Sequence, residues 1–526
     1  MQDYDEVTSF LGEWGSFQKT VFFLLSASVI LSGHMCLSMV FLADTPQHHC
    51  RLPDSLNRTT GEANLSSLLP VEEVDGEMIY SRCRRYKTPA TDALNATTRE
   101  TEPCVDGWEY STERYISTIV SEWDLVCENN WKGPFSSSVF FMGMLTGSFF
   151  SGHLSDRYGR KFILFASITV QTVFGLIEMA SQSWEMFCVF YFVIGFGLIS
   201  IYVTAFVLGT ELLGKSMRLA FGTVGIPMFF SVGYIFLPLF AYFIRDWRTL
   251  LLAMSLPGFL YVPLWWFIPE SPRWLHSQGR VEEAEAIFKA AAKQNGITHV
   301  GVIFTRRECT VDMLHNPRIS DQDVLTYLDL FRTSNIRNIT ILFFFIWIVT
   351  SMTYFGLSVN TSNMNGNPYI NCFISAASEI GAYLFTWWLL PTALRRITTA
   401  SMLSLGGTLL LLIQLVPANV YVITTALAMI GKFAITSAFI IIYIYAAELY
   451  PTVLRNMGVG ACSTVSRIGA IISPYVFYLG LYNIVLPLMG LLVVVAGALC
   501  LILPETRDQS LPETVQQTQP IRCCSV

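Results

Sequence analysis

The sequence predicts an all-α integral membrane protein with twelve transmembrane helices in two six-helix bundles. Of its 526 residues 52% are hydrophobic and 14% are charged, whereas a typical soluble protein has about 25% charged residues. Twelve apolar runs are long enough to cross a bilayer, which takes roughly 20 residues. Three short motifs recur at nearly the same offset in the two halves of the chain. These observations exclude most soluble classes, and the dispersed basic residues exclude nucleic acid as a partner.

The apolar runs are numbered here as spans in chain order. The first run follows four acidic residues and has no basic leader, so we expect a retained helix and not a signal peptide. The spans lie at 20–43, 136–154, 162–181, 186–208, 220–243, 249–268, 337–358, 369–390, 398–415, 420–446, 457–480 and 484–503.

The distribution of basic residues predicts the orientation. The loops after spans 2, 4, 8 and 10 contain eight basic residues, and the loops after spans 3, 5, 7, 9 and 11 contain two. By the positive-inside rule both termini are cytoplasmic, and the chain divides into an N-terminal bundle (1–268), a cytoplasmic linker (269–336), a C-terminal bundle (337–503) and a cytoplasmic tail (504–526). The polar insert at 44–135 is then extracellular.

The outer insert contains four of the 12 cysteines, Cys50, Cys83, Cys104 and Cys127. An oxidising compartment permits two disulfides with three possible pairings. The insert also contains three N-glycosylation sequons, at Asn57, Asn64 and Asn95. Both features agree with its extracellular position.

Three pairs of motifs indicate an internal duplication. The segments Glu211–Arg218 and Glu448–Arg455 are 237 residues apart, Pro269-Glu-Ser and Pro504-Glu-Thr are 235 apart, and Arg160 is 236 before Arg396. Two related bundles can rock about a central site, so we predict transport by alternating access.

Charges in the cytoplasmic loops are predicted to hold the inner gate shut in the outward-facing state. The alternative is that they only fix the orientation, which we prefer for Lys161 and Arg396. The candidate gate residues are Asp156, Arg157, Arg160, Glu211, Arg218, Glu448 and Arg455.

The loop Gly152–Lys161, with Pro269–Leu275 and Glu448–Arg455, resembles the major facilitator superfamily. The outer insert and its segment Ser117–Cys127 are similar to the organic ion transporter family of animals. The segments Asp3–Gly15 and Leu237–Arg248 resemble the carnitine/zwitterion branch, the novel organic cation transporters. The resemblance implies a monomeric plasma-membrane carrier of carnitine or ergothioneine with sodium as a coupling ion.

Three ionisable residues, Glu379, Lys432 and Arg467, lie near the centres of spans 8, 10 and 11, and charges at that depth indicate functional sites. The planar guanidinium of Arg467 suits a carboxylate. The family resemblance implies Asp here in carriers of simple cations and Arg in carriers of anions and zwitterions. The alternative is a structural ion pair of Glu379 with Lys432 or Arg467.

A quaternary ammonium group would bind to aromatic faces, and Glu379 would add negative charge. Tyr202 is the preferred residue, since span 4 lines the cavity in this superfamily. Each of these aromatic residues also has an ordinary packing interpretation. The candidates are Tyr202, Phe230, Tyr234, Tyr354, Tyr443 and Tyr445.

Sodium coupling is left open by the sequence. The resemblance implies amide side chains where this chain has Ser32, Leu198 and Ile201, so Ser32 and Gln171 are the remaining candidate ligands. Facilitated transport of ergothioneine or of varied cations without sodium is the alternative. A receptor or scaffold that moves no substrate is the alternative of another class.

A nucleotide-binding pattern occurs after span 4, with Gly209, Gly214, Lys215 and Ser216 in the P-loop spacing. That pattern binds phosphate when it joins a strand to a helix, so here a cytoplasmic gate loop is the better interpretation. The sequence shows no catalytic or metal-ligand spacing, and we expect no enzyme and no cofactor besides sodium.

Overall fold

A computed structural model describes residues 11–12, 14–51, 69–74, 77–87, 100–297, 327–364, 366–417, 420–478, 482–507, 509, 512 and 518. Helices occupy all twelve predicted spans, with ends within a few residues of the prediction. Eight of the described helices are long and apolar enough to cross a membrane by length and composition.

The N-terminal half contains spans 1 to 6, of which three are interrupted. Span 1 is divided into three helical segments, span 5 passes through a π-helical turn, and span 6 ends in a 3₁₀ segment. Their bounds are Ser16–Ser28, Ile30–Cys36 and Met39–Leu42 (span 1), Lys132–Tyr158 (span 2), Arg160–Glu178 (span 3), Trp184–Leu212 (span 4), Lys215–Ala220, Phe221–Gly225 and Ile226–Phe243 (span 5), and Trp247–Ser255 and Leu256–Trp266 (span 6).

The C-terminal half contains spans 7 to 12 and follows a linker with three described helices. The linker helices are Pro272–Ser277, Val281–Gln294 and Asp329–Arg332. The spans are Ser334–Val359 with a 3₁₀ turn at Asn360–Asn363 (span 7), Pro368–Leu389 (span 8), Arg395–Leu412 with a 3₁₀ turn at Ile413–Leu415 (span 9), Tyr421–Leu449 (span 10), Arg455–Tyr478 (span 11) and Tyr482–Cys500 (span 12).

The same helix pairs pack in both halves, which agrees with the duplication. Span 1 packs on span 5, span 2 on span 4 and span 3 on span 6; spans 7 and 11, 8 and 10, and 9 and 12 repeat this arrangement. Small residues bring backbones close together: a Cβ on Gly33 would lie 1.9 Å from the Phe230 carbonyl oxygen. Across the halves, span 2 packs on span 11 and span 5 on span 8.

The described part of the outer insert contains three two-stranded antiparallel sheets and two disulfides. The sheets pair β1 (His48–Cys50) with β6 (Trp108–Tyr110), β2 (Val71–Val74) with β3 (Glu77–Tyr80), and β4 (Arg84–Tyr86) with β5 (Thr101–Pro103). The disulfides are Cys50–Cys104 and Cys83–Cys127, one of the three pairings left open by the sequence. The sequons at Asn57, Asn64 and Asn95 lie outside the described residues.

Polar contacts attach the outer insert to the N-terminal half. Trp247 Nε1 donates to Glu122 Oε2 at 2.6 Å, and Ser117 Oγ donates to Asp246. Glu122 also pairs with Arg248, whose guanidinium donates to the Met179 and Ser181 carbonyls. The insert is therefore fixed to the N-terminal end of span 6. The end of the bundle that carries the insert is called the outer end below, and the opposite end the cytoplasmic end, following the predicted orientation.

Candidate functional site

A buried ion pair lies at the centre of the C-terminal half. Lys432 Nζ of span 10 is 2.9 Å from Glu379 Oε1 of span 8. The Glu379 residue is 0% and Lys432 1% exposed. Burying such charges is costly unless they are paired, and the structure therefore contains the ion pair offered as the structural alternative for Glu379.

Hydrogen bonds complete the surroundings of Glu379 and join the two halves. Tyr354 donates to its Oε1 at 2.9 Å, and Ser231 of span 5 donates to its Oε2 at 2.7 Å. Tyr234 and Ser375 are joined by a second bond between spans 5 and 8, at 3.1 Å. The carboxylate of Glu379 is therefore shared between a cation of its own half and a hydroxyl of the other half.

Two of the predicted aromatic residues surround the ammonium group of Lys432. Its Nζ lies 4.9 Å from the Tyr234 ring centroid and 5.6 Å from that of Tyr354, within cation–π range. The same Nζ donates to Ser375 Oγ. Tyr234, Tyr354 and Glu379 thus form the kind of site expected for a substrate ammonium, and in this conformation it holds Lys432.

The other central cation, Arg467, has a different environment. Its Nε atom is buried and has no hydrogen-bond partner among the described residues. Electrostatic interactions connect the guanidinium with Tyr202 of span 4 and Cys36 of span 1, both in the opposite half. Arg467 therefore lies between the halves with donor capacity available for a carboxylate.

A group of aromatic side chains includes Tyr202, which interacts electrostatically with Arg467. Tyr202 packs edge-on against Phe230 at 6.2 Å between ring centroids and interacts electrostatically with Tyr443 as well as with Arg467. Tyr443 hydrogen bonds to Ser463 at 3.2 Å, one turn before Arg467 on span 11. The structure therefore brings Phe230 and Tyr443 near Tyr202, which is itself in electrostatic range of Arg467.

Tyr445 has a different environment from Tyr443. Residues two apart on a helix point about 200° apart. The Tyr445 hydroxyl donates to the Pro504 carbonyl, and its ring packs on Phe343 at 5.7 Å. The structure thus places this tyrosine within the C-terminal half, near the cytoplasmic end.

The two residues proposed for ion coupling, Ser32 and Gln171, are buried between spans 1 and 3. Gln171 Nε2 donates to the Leu31 carbonyl at 3.0 Å. Its Oε1 atom and Ser32 Oγ are both buried without a hydrogen-bond partner among the described residues. Unpaired oxygen atoms of this kind fit the preference of a hard cation for oxygen ligands.

Ion pairs at the cytoplasmic end repeat in the two halves. Arg160 binds Glu211 at 3.1 Å and Asp156 at 2.8 Å, and Arg395 binds Glu448 at 3.3 Å. Each of these pairs joins spans of one half. Their role as a gate between the halves remains a prediction.

Arg157, Arg218 and Arg455 also lie at the cytoplasmic end. Arg157 lies 5.4 Å from the Tyr158 ring centroid, Arg218 Nε donates to the Leu213 carbonyl at 3.0 Å, and Arg455 donates to Thr452 at 3.3 Å. These described contacts also lie within one half.

The glutamates of the two repeated Pro-Glu motifs, Glu270 and Glu505, cap helices. Glu270 Oε1 accepts the backbone N–H groups of Arg160 and Lys161, both at 3.0 Å. Glu505 accepts those of Arg395 and Arg396 at 2.8 and 3.2 Å. The structural counterpart of Arg160 is therefore Arg395, and the sequence match with Arg396 was one residue out of register.

Comparison with known proteins identifies the family of the chain. Residues 133–474 match the Major Facilitator Superfamily profile. The mouse protein "Solute carrier family 22 member 21" is 50% identical and covers 99% of this chain and 94% of its own length. The human "Organic cation/carnitine transporter 2" is also 50% identical, covering 98% and 94%. The chain belongs to the major facilitator superfamily and, within it, to solute carrier family 22.

Solved structures agree with this family 22 assignment at the level of the fold. The inward open xylose transporter XylE from E. coli has a TM-score of 0.59 at 11% identity, covering 94% of this chain and 98% of its own. At that identity the likeness shows the fold alone. Relatives and fold are those of transporters and not of enzymes, and the chain is a multi-pass membrane transporter.

The P-loop-like segment of this family 22 chain lies in a helical setting. Gly209 is inside span 4, where an added Cβ would lie 2.1 Å from the Phe221 ring. Gly214 connects span 4 to a six-residue helix that starts at Lys215. A P-loop requires a strand before the glycine-rich turn, so the cytoplasmic-loop interpretation agrees with this structure.

Proposed function

We propose that the chain is a plasma-membrane carrier of small organic cations and zwitterions, with carnitine-like molecules as the preferred substrates. It works by alternating access, with both termini in the cytoplasm. Two of its relatives are named "Organic cation/carnitine transporter 2" and "Organic cation transporter protein". The observation that carries the proposal is the guanidinium of Arg467, whose Nε atom is buried without a hydrogen-bond partner among the described residues.

The central charges favour a substrate with a carboxylate. Glu379 and Lys432 neutralise each other at 2.9 Å, so Arg467 leaves this group of three with a net charge of about +1. A carboxylate neutralises that charge and accepts two parallel hydrogen bonds. A trimethylammonium group on the same molecule would contact the faces of Tyr202, Phe230 and Tyr443. A simple cation gains the aromatic contacts but is repelled by Arg467.

Substitution of Arg467 tests this proposal. Losing one partner of a buried charged pair costs about 2–5 kcal/mol, so Arg467→Ala should reduce carnitine uptake at low concentration at least roughly 30-fold. Arg467→Lys keeps the charge without the planar fork and should retain an intermediate activity. The exposed Arg337→Ala serves as the control. Unchanged uptake by folded, surface-expressed Arg467→Ala would reject the carboxylate anchor.

Charge reversal separates the substrate classes. Arg467→Asp changes the central charge from about +1 to about −1. We expect tetraethylammonium uptake to rise relative to carnitine uptake, measured in the same cells with both labelled compounds. A variant that loses both activities equally despite normal surface expression would argue against discrimination by this charge.

Sodium coupling is the second part of the proposal. Ser32 Oγ and Gln171 Oε1 are the oxygen atoms that would hold the ion; a bound cation supplies positive charge that raises affinity for the substrate carboxylate. Replacing external sodium by N-methylglucamine should then lower uptake, and Gln171→Leu should remove the difference. Equal uptake in both media by the unmodified protein would favour the facilitator alternative.

Labelled ergothioneine tests the principal alternative substrate. Competition between carnitine and ergothioneine, each with and without sodium, ranks the two by the half-maximal inhibitory concentration. A receptor or scaffold would bind such ligands without moving them. Accumulation inside sealed proteoliposomes therefore distinguishes the transporter from that class.

A further inference from the structure

A second cavity lies at the outer end, away from the central site. Its volume is about 590 Å³, within the range of about 300–1,000 Å³ of small-molecule pockets. One wall comes from the outer insert and spans 1 and 2, and the other from the ends of spans 7 and 11. We call this cavity the outer chamber. Because its walls belong to both halves, rocking of the halves changes its shape.

The outer chamber is separated from Arg467 by side chains that close the outer end. Two residues of span 11 line the chamber, Pro474 and Tyr478, seven and eleven residues after Arg467, which are distances of about 10 and 16 Å along a helix. Between the chamber and Arg467, Ser138 Oγ donates to the Ile471 carbonyl at 2.7 Å, and Phe141 packs on Phe355 at 4.8 Å. The chamber is thus a different site from the one at Arg467.

An acidic group is fixed in the wall of the outer chamber. Asp44, at the end of span 1, is 7% exposed. Its carboxylate accepts hydrogen bonds from the Tyr115 hydroxyl at 2.7 Å and the Thr45 N–H at 3.1 Å, and it lies 3.8 Å from Arg114. Burial raises the pKa of Asp44 to about 6, which leaves it ionised at the pH of blood.

Donors for an anionic group line the same chamber. Arg82 of the outer insert and Asn360 of span 7 both contribute to the lining. Asn363 Nδ2 donates to Asn360 Oδ1 at 3.0 Å, which orients the Asn360 amide and directs its NH₂ group to a partner other than that oxygen. The chamber therefore presents one carboxylate, one guanidinium and an oriented amide.

We propose that the outer chamber is a binding site for a small zwitterion, which it holds before the outer end opens. Asp44 faces the ammonium group, and Arg82 with Asn360 faces the carboxylate. The choice of a zwitterion rests on the proposed function. Binding in the outer chamber raises the local substrate concentration at the entrance. The site therefore affects uptake and not release from the cytoplasmic side.

Direction-dependent kinetics test this site. Asp44→Asn and Arg82→Gln should each raise the KM for carnitine uptake about tenfold, the size expected for one charged contact. The half-saturating internal concentration for efflux from preloaded, uniformly oriented proteoliposomes should stay unchanged. Glu128→Gln and Arg84→Gln, exposed charges of the same insert, are the matched controls. An unchanged uptake KM, or equal changes in both directions, overturns the proposal.

Cysteine labelling measures substrate binding to the outer chamber independently of transport. Ser362 lines the outer chamber, and Ser362→Cys provides a site for a membrane-impermeant maleimide. Carnitine should slow the labelling, also in the Arg467→Ala background, and this protection should disappear with Asp44→Asn. Loss of protection with Arg467→Ala would assign the effect to the central site and overturn the outer one. Persistent protection in a protein that accumulates no carnitine would support the chamber while rejecting the proposed function.

Discussion

At the scale of single residues, the effect of Glu379 on stability depends on Lys432, and the effect of Lys432 depends on Glu379. Both residues are almost completely buried, and each charge is tolerated because the other is present. Removing one partner of such a pair costs about 3–5 kcal/mol, whereas replacing both by apolar residues is often neutral. We therefore expect Lys432→Met to lower the melting temperature in detergent strongly, and Glu379→Leu/Lys432→Met to recover much of the loss. A double variant as unstable as the single one would contradict this.

The outer carboxylate Asp44 predicts a dependence on external pH. With a pKa of about 6, Asp44 loses its charge as the pH falls from 7.4 to 5, so the KM for uptake should rise. The facing groups are Tyr115, Arg114, Tyr369, Arg82 and His48. Burial raises the pKa of Tyr115 away from this range and lowers the pKa of His48. Asp44→Asn should flatten the profile; an unchanged profile would exclude Asp44 as the titrating group.

Some site residues follow from sequence, and others require the packed structure. Arg467 and Glu379 stand out because charges in apolar runs are rare. Ser231 and Ser375, which bond to Glu379 and Lys432, carry no comparable signal among the many hydroxyl residues of the spans. The role of Tyr234 and Tyr354 as neighbours of Lys432 also depends on how spans 5, 7 and 10 meet. The sequence therefore located the charged centre and offered the Glu379–Lys432 pair as an alternative, but it did not predict the hydroxyl and aromatic partners of these charges.

At the scale of helices, the apolar runs predicted every span because lipid requires long continuous hydrophobic segments. The sequence did not predict the internal geometry of these spans. Span 6 becomes a 3₁₀ helix over Leu256–Trp266, where Pro263 lies inside the segment and cannot donate a helical hydrogen bond. The caps by Glu270 and Glu505 were also missed, since each glutamate reaches a helix more than one hundred residues away in sequence.

The two capping glutamates are expected to contribute similarly to the stability of the protein. Glu270→Gln and Glu505→Gln should each destabilise the protein by about 1 kcal/mol, because they weaken charge-assisted bonds at the N-termini of spans 3 and 9. Melting temperatures in detergent measure the effect, with the exposed Glu109→Gln as the control. Because the two sites are structurally equivalent, a loss at only one of them would argue against the shared capping role.

At the scale of the whole molecule, the described contacts close the outer end. Phe41 of span 1 stacks on Tyr369 of span 8 at 5.3 Å, and the bond from Ser138 to Ile471 joins spans 2 and 11. The cytoplasmic ion pairs described here stay within their halves. In the alternative conformation the outer contacts must separate, and the cytoplasmic ends are then positioned to meet.

Asp156 tests whether cytoplasmic charges act as a gate. The pair with Arg160 is exposed on the Asp156 side, at 69%, and an exposed ion pair contributes only about 0.2–1 kcal/mol to stability. If Asp156 stabilises the closed cytoplasmic end, Asp156→Ala should lower maximal uptake several-fold at normal surface expression. Glu283→Ala removes a comparable exposed pair from the linker and should leave uptake unchanged. Equal uptake by both variants would indicate that Asp156 only helps to fix the orientation of the chain in the membrane.

The attachment of the outer insert to the N-terminal half determines how external binding proteins act on the carrier. Because Trp247, Asp246 and Arg248 fix the insert to the N-terminal end of span 6, the insert moves with that half as it rocks. An antibody fragment that recognises the insert alone would follow the motion and leave the turnover rate unchanged. A fragment that also binds the connection between spans 7 and 8 would hold the two halves together and stop the transport cycle.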